Sequence, residues 1–190
     1  MRELLPLFGG AGIDVISLDD AGIAETPDED ALESALTFEE NALAKARHFA
    51  RASGRPTVAD DSGLEVAALG GRPGVHSKRW SGRTDLRGQA LDDANNAMLL
   101  ERLAGSADRG ARYVCVAAFC DGVTECVERG EARGQITKEP RGSAGFGYDP
   151  YFESEELGRT FGEVSQEEKA RVSHRARAFS KLLQRLASPA

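Results

Sequence analysis

Helical and strand patterns alternate along this chain, and one antiparallel hairpin signal stands among them; together they predict an α/β fold built on a mixed β-sheet. The 190 residues, 41% of them hydrophobic, can bury the core of one large domain or of two closely packed lobes. No internal repeat or low-complexity linker divides the sequence, so residues 1–190 read as a single unit.

The acidic stretch from Glu25 to Glu33 is poor in apolar residues and reads as a surface loop. From Thr37 the sequence TFEE has the form of a capping box, with the threonine oxygen capping a helix and Glu40 reaching back to the free amide. That helix extends to about Gly54. Thr57 to Asp60 reads as a short strand that ends in a turn-forming Asp-Ser-Gly, and Leu64 to Leu69 as strand-like again until GGRPG breaks it. A helix over about Asp85 to Leu103 follows. A turn at Asp121-Gly122 then joins two long strands, roughly Arg112 to Cys120 and Val123 to Ile136. Ser165, with Glu168 three residues on, marks another helix start, and Ser173 opens an amphipathic helix through Leu186.

Composition narrows the function. Lysine and arginine total 24 against 31 aspartate and glutamate, a formal charge of −7, which disfavours a broad polynucleotide-binding surface. A phosphate ligand must be met locally. The three cysteines, Cys115, Cys120 and Cys126, lack CxxC spacing and have no histidines at zinc-ligand distances, so they read as reduced core thiols. No signal-peptide pattern and no membrane-length apolar run is visible, and a cytoplasmic protein is expected.

Three segments carry candidate chemistry. In ADDSG, Ala59 to Gly63, adjacent carboxylates beside a serine and a glycine suit a hard divalent cation next to a phosphate, and Glu33 can supply another oxygen. Equally, Asp60 and Asp61 can cap a turn and stay solvated. In GSAGFGYDP, Gly142 to Pro150, glycines let backbone approach a ligand while two aromatics offer faces to a planar base; the same residues also fit a tight turn with both rings packed inward. In EEKARVSHR, Lys169, His174 and Arg175 lie near two helix N-termini, which favour anions, or are solvated helix residues. Lys45 on the first long helix is open to the same two readings. His48 and His76 have no partner pattern, and no HExxH, nucleophile elbow or P-loop is present.

Taken in order, TFEENALAKA, ADDSGLEV, LGGRPGVHSKRWSG, GFGYDP and EEKARVSHRARAF closely resemble the inosine triphosphate pyrophosphatase family, the dITP/XTP pyrophosphatases. The resemblance runs from Arg2 almost to the C-terminus. It implies an elongated mixed α/β structure of two lobes with the active site in the cleft between them, assembled as a homodimer. It implies magnesium held by Glu33 and Asp61, with Asp61 also the general base, and a phosphate contact at Ser62. Phe146, Gly147, Tyr148 and Asp149 match the segment that holds base and ribose, and Lys169, His174 and Arg175 match the remaining nucleotide contacts. The activity implied is hydrolysis of dITP, ITP and XTP to the monophosphate and pyrophosphate, with neither polynucleotide nor membrane as partner.

Family members also have a strand and a Thr/Ser-x-Asn-x-x-Lys phosphate loop just before the Arg-Glu pair seen here as Arg2-Glu3. The 190 residues start after it, and the expectation is that Met1 is a start assigned inside a longer reading frame. Two other readings stand beside the enzyme. One is a silent purine-nucleotide-binding protein that has lost the phosphate loop, and the other is a magnesium-dependent phosphatase that releases orthophosphate.

Overall fold

Thr37 begins the first long helix, α2 (Phe38–Ser53), because its hydroxyl oxygen accepts from the Glu40 N–H at 3.2 Å; Gly54 ends it in the left-handed conformation, φ 65°. The Glu40 carboxylate accepts a hydrogen bond from the Thr37 hydroxyl at 2.9 Å, where the sequence pattern predicted a bond to the free amide. The computed structural model describes residues 4–23 and 32–188. Arg2-Glu3 and most of the acidic stretch after Glu25 lie outside the described residues, and Glu33 lies just inside them. Ahead of α2, the short helix α1 (Leu5–Gly10) was not predicted from the sequence.

After α2 come strand β1 (Thr57–Val66), a 3-10 helix at Gly74–Arg79, helix α3 (Gly88–Arg102), strands β2 (Gly110–Cys120), β3 (Glu125–Ile136) and β4 (Phe152–Ser154), and helices α4 (Gln166–Val172) and α5 (His174–Ala187). The strands are ordered β1-β2-β3-β4 in one sheet, the α/β class expected. Asp121 closes the β2–β3 hairpin by accepting from the N–H groups of Val123 and Thr124, at 2.8 and 2.6 Å. β4 pairs antiparallel with β3, Ile136 opposite Phe152.

Three boundaries differ from the sequence reading, one of them at the end of β1, where Ala67–Leu69 form a 3-10 helix and not strand. β1 runs unbroken through Asp-Ser-Gly, because Gly63 is buried in extended backbone and does not take the positive φ of a turn. α3 starts at Gly88, not near Asp85: Arg83 grips the Asp85 carboxylate with two nitrogens, and the Arg87 guanidinium donates to the carbonyls of Thr84 and Leu86, which holds that segment as a loop. The expected capping box at Ser165 forms in both directions with Glu168.

The chain divides into two compact units, one of residues 1–61, 115–130 and 174–190, the other of residues 62–114 and 131–173. In the first, Leu4 and Phe8 pack with Cys115, Ala117, Ala178, Phe179 and Leu182, the Phe8 and Phe179 rings meeting edge to face at 5.9 Å. In the second, Tyr113, Phe152 and Phe161 form an aromatic nucleus with centroids 4.7 to 5.9 Å apart, wrapped by Leu64, Val66, Leu99, Leu103 and Ile136. Full burial of each such side chain contributes about 1.5–3 kcal/mol. Asn95 ties α3 to the 3-10 helix, accepting from Ser81 N–H at 2.8 Å and donating to the Lys78 carbonyl at 3.1 Å, with Trp80, the single tryptophan, held between those two residues.

Gly130 sets how closely α5 approaches β3. A Cβ there would fall onto the backbone of His174 and Ala178, which cannot yield as a flexible side chain can. Gly130→Ala is therefore expected to destabilise the protein by about 1–3 kcal/mol, seen as a lower urea midpoint with an unchanged slope. An unshifted midpoint would show that α5 moves away at no cost.

Candidate functional site

α2 carries its buried residues at helical spacing: Phe38, then Asn41 and Ala42, then Ala46, then Phe49 and Ala50. Asn41 and Lys45, four residues apart, share this inward stripe, and small alanines leave room around them. Asn41 is fully buried; its oxygen accepts from Ala35 N–H at 2.9 Å and its nitrogen donates to Asp61 Oδ2 at 3.1 Å. Lys45 Nζ lies 3.0 Å from Asp61 Oδ1 and 3.1 Å from Glu33 Oε1. The structure thus brings Glu33, Lys45 and Asp61 together.

Burial pushes the Asp61 carboxyl above the ordinary aspartate range, against the Lys45 charge and the Asn41 hydrogen bond, which pull it down. For Lys45, burial pulls down, but the charges of Asp61 and Glu33 outweigh it and the ammonium ends above the ordinary lysine value. Lys45 is held charged between two carboxylates.

Successive residues on a strand point to opposite faces. Asp60 accordingly turns away from α2 and meets Arg175 at the start of α5, whose Nε and Nη2 donate to Asp60 Oδ2 at 3.2 and 3.1 Å; the Cys115 thiol donates to the same oxygen at 3.6 Å. His174, the first residue of α5, is buried at 7% exposure. Ser62, next after Asp61 in β1, is half-buried.

In the second unit the GFGYDP segment gathers Phe146, Gly147, Tyr148, Asp149 and Lys169. Asp149, 2% exposed, accepts from Lys169 Nζ at 2.6 Å and Phe146 N–H at 3.0 Å on Oδ2, and from the Tyr113 hydroxyl at 3.2 Å on Oδ1. Burial, together with the Asp149 charge, holds the Tyr113 phenol well above its usual pKa, so it stays a donor. Of the two aromatics, Tyr148 is buried and donates its hydroxyl to the Ser77 carbonyl at 2.8 Å, whereas Phe146 is 62% exposed. Lys169 Nζ lies 5.0 Å from the Phe146 ring centre. Lys169 lies just past the capping box of α4, near the helix start as expected, and its ammonium reaches into this buried pair.

Asn41 and Tyr113 took no role in the sequence reading, and Asp60 entered it only beside Asp61, as one of two adjacent carboxylates suited to a cation or a turn. For Asn41 the signal was present, an amide four residues before a lysine on an otherwise apolar helix stripe. Nothing comparable marks Tyr113, whose partner is 36 residues away.

Among the described residues, no three His, Cys, Asp or Glu side chains are placed to hold a metal by themselves. Magnesium commonly takes one or two carboxylates and leaves its other positions to water and phosphate. Glu33 and Asp61, two hard-oxygen donors already gathered around the Lys45 cation, fit that demand.

The fold is that of an α/β protein with carboxylates gathered around a cation in one unit and an exposed aromatic ring beside a buried lysine in the other. The chain belongs to the Ham1 family, whose model matches residues 1–185. Among its relatives, a dITP/XTP pyrophosphatase of Ralstonia nicotianae is 45% identical over 98% of this chain and 90% of its own length, and one of Mycobacterium bovis is 49% identical over 99% and 89%. Among solved structures, a HAM1 protein from Coxiella burnetii superposes with a TM-score of 0.84 at 36% identity, covering 98% of this chain and 92% of that one. The Staphylococcus aureus Ham1 protein superposes with a TM-score of 0.82 at 34% identity, with the same coverage.

Lys169→Met would leave Asp149 as a buried carboxylate stripped of its cation. A loss of about 3–5 kcal/mol is expected by chemical denaturation. Adding Asp149→Asn should return part of it; a double variant no more stable than the single one would refute the pairing.

Proposed function

We propose that this protein hydrolyses non-standard purine nucleoside triphosphates, dITP, ITP and XTP, to the monophosphate and pyrophosphate, and so clears them from the nucleotide pool. Its relatives carry the name dITP/XTP pyrophosphatase. The observation that carries the mechanism is Asp61, a buried carboxylate with a raised pKa, fixed by Asn41 and set against the Lys45 ammonium.

Asp61 accepts the proton of the attacking water on a carboxylate oxygen, the water oxygen bonds to the α-phosphorus, and the bond from that phosphorus to its bridging oxygen breaks to release pyrophosphate. Asn41 keeps the carboxylate from rotating. Lys45 supplies positive charge to the phosphate oxygens. Glu33 and Asp61 would hold magnesium, which when bound neutralises phosphate charge and acidifies a water. Ser62 contacts phosphate, and no covalent intermediate is required.

Phe146 offers its ring to the purine, while Gly147, Tyr148, Asp149, Lys169 and His174 complete the contacts to base and ribose. Arg175, oriented by Asp60, donates to the 6-carbonyl of hypoxanthine or xanthine. Adenine has an amino donor at that position, so the guanidinium would lose its acceptor, a costly mismatch in a partly buried site. A homodimer in the cytoplasm, with neither polynucleotide nor membrane as partner, belongs to the same proposal. Among the described residues no helix is long and apolar enough to cross a membrane.

The deciding experiment is product analysis with dITP and magnesium. Pyrophosphate release, with ATP a poor substrate, is expected of the wild type, and Asp61→Asn should lower kcat roughly 100- to 10,000-fold. Orthophosphate as the product would favour the phosphatase reading, and nucleotide binding without turnover the silent binder.

The Asp61 pKa gives a second test. Activity requires Asp61 deprotonated, so it rises as pH climbs through that raised pKa. Lys45→Met removes a charge that pulls the pKa down and should move the acid limb of the kcat/KM profile to higher pH. A limb that moves to lower pH would exclude Asp61 as the base.

A further inference from the structure

α3 takes no part in the chemistry above, yet it grips the loop that presents the exposed ring. Two of its side chains, one helical turn apart, close on a single residue. Gly147 N–H donates to Asp92 Oδ2 at 2.8 Å, and Asn96 Nδ2 donates to the Gly147 carbonyl at 2.9 Å. Gly147 has φ 62°, a backbone conformation that glycine adopts without strain. The two bonds fix both peptide planes that flank it, one shared with Phe146 and the other with Tyr148.

The two neighbours differ in what else restrains them. Tyr148 is buried and anchored through its hydroxyl on Ser77, whereas Phe146 is 62% exposed and takes its direction from its backbone and from the Lys169 ammonium 5.0 Å from its ring centre. Asn96 is 5% exposed, so the bond from its amide nitrogen to Gly147 is shielded from water. The Asp92 charge also reaches Tyr148, where, after burial, it helps to keep the phenol protonated.

We infer that Asp92 and Asn96 are positioning residues for the nucleobase: by holding Gly147 from its N–H and its carbonyl, they aim the face of Phe146 at the purine and set base affinity without touching substrate. The inference rests on the pyrophosphatase reading. It predicts that the clamp governs the base end of the nucleotide and leaves the phosphate end alone.

The test uses IMP and pyrophosphate, the two products of ITP hydrolysis, as inhibitors of ITP turnover by the full chain, because IMP carries the base and pyrophosphate does not. Asp92→Ala and Asn96→Ala should each weaken IMP inhibition on the order of tenfold, with the pyrophosphate inhibition constant within about twofold of wild type. Asp92→Asn keeps an acceptor for Gly147 N–H and should recover most of the affinity. Asn96→Asp, nearly isosteric, sets a carboxylate against the Gly147 carbonyl and should be as weak as the alanine variant, which guards against loss through misfolding. In a Phe146→Ala background the same changes should cost nothing further.

Equal weakening of IMP and pyrophosphate, unchanged IMP affinity, or full additivity with Phe146→Ala would each overturn the clamp. A wild type that neither turns over ITP nor binds IMP would instead overturn the pyrophosphatase reading itself.

Discussion

A carboxylate taken almost wholly out of water must be surrounded by donors, and much of the second unit is arranged to meet that demand at Asp149. Lys169 reaches it from α4, Tyr113 from β2 and the Phe146 N–H from its own loop. Gly145 follows from the same charge, because a side chain there would collide with Asp149 Oδ2, and its φ of 79° belongs to glycine. The Lys169 ammonium, once drawn in, lies 5.0 and 5.2 Å from the Phe146 and Phe161 rings. One buried charge thereby links a helix, a strand and the aromatic nucleus.

In the first unit the organising constraint is the alternation of a strand. Asp60 and Asp61 are adjacent in sequence and similar in chemistry, yet β1 delivers one to Arg175 and Cys115 and the other to Asn41 and Lys45. Their duties separate for that reason. Asp60, paired with a guanidinium, orients a donor, while Asp61 shares its oxygens with an amide and an ammonium and keeps the basicity that burial gives it. Had a turn begun at Asp61, as the sequence reading had it, this division would have no structural basis.

Local signals were the legible part of the sequence. Thr37, Gly54, Ser165 and the Asp121-Gly122 turn each act on neighbours within four residues, and each stands where the residue pattern placed it. The start of α3 and the course of β1 differ from the residue pattern because side chain to backbone bonds and sheet pairing decide them: Arg83 and Arg87 hold a loop before α3, and Gly63 is carried through in an extended strand. The site divides along the same line. Glu33, Asp61 and the GFGYDP segment were visible as motifs, but Asn41, Tyr113, Asp92 and Asn96 act across 20 to 55 residues of sequence, and only the fold brings them to their partners.

Trp80 gives the protein a built-in optical reporter with a narrow field of view. As the single indole, half-buried where Lys78 and Ser81 are stitched to Asn95, it ties near-ultraviolet emission to one corner of the second unit. Emission would therefore follow the loosening of α3 from the 3-10 helix. Far-ultraviolet circular dichroism, to which α2, α3 and α5 contribute with 16, 15 and 14 residues, follows both units. Agreement between the two signals during unfolding would mean that the units melt as one cooperative body, and a gap between them would time their separation.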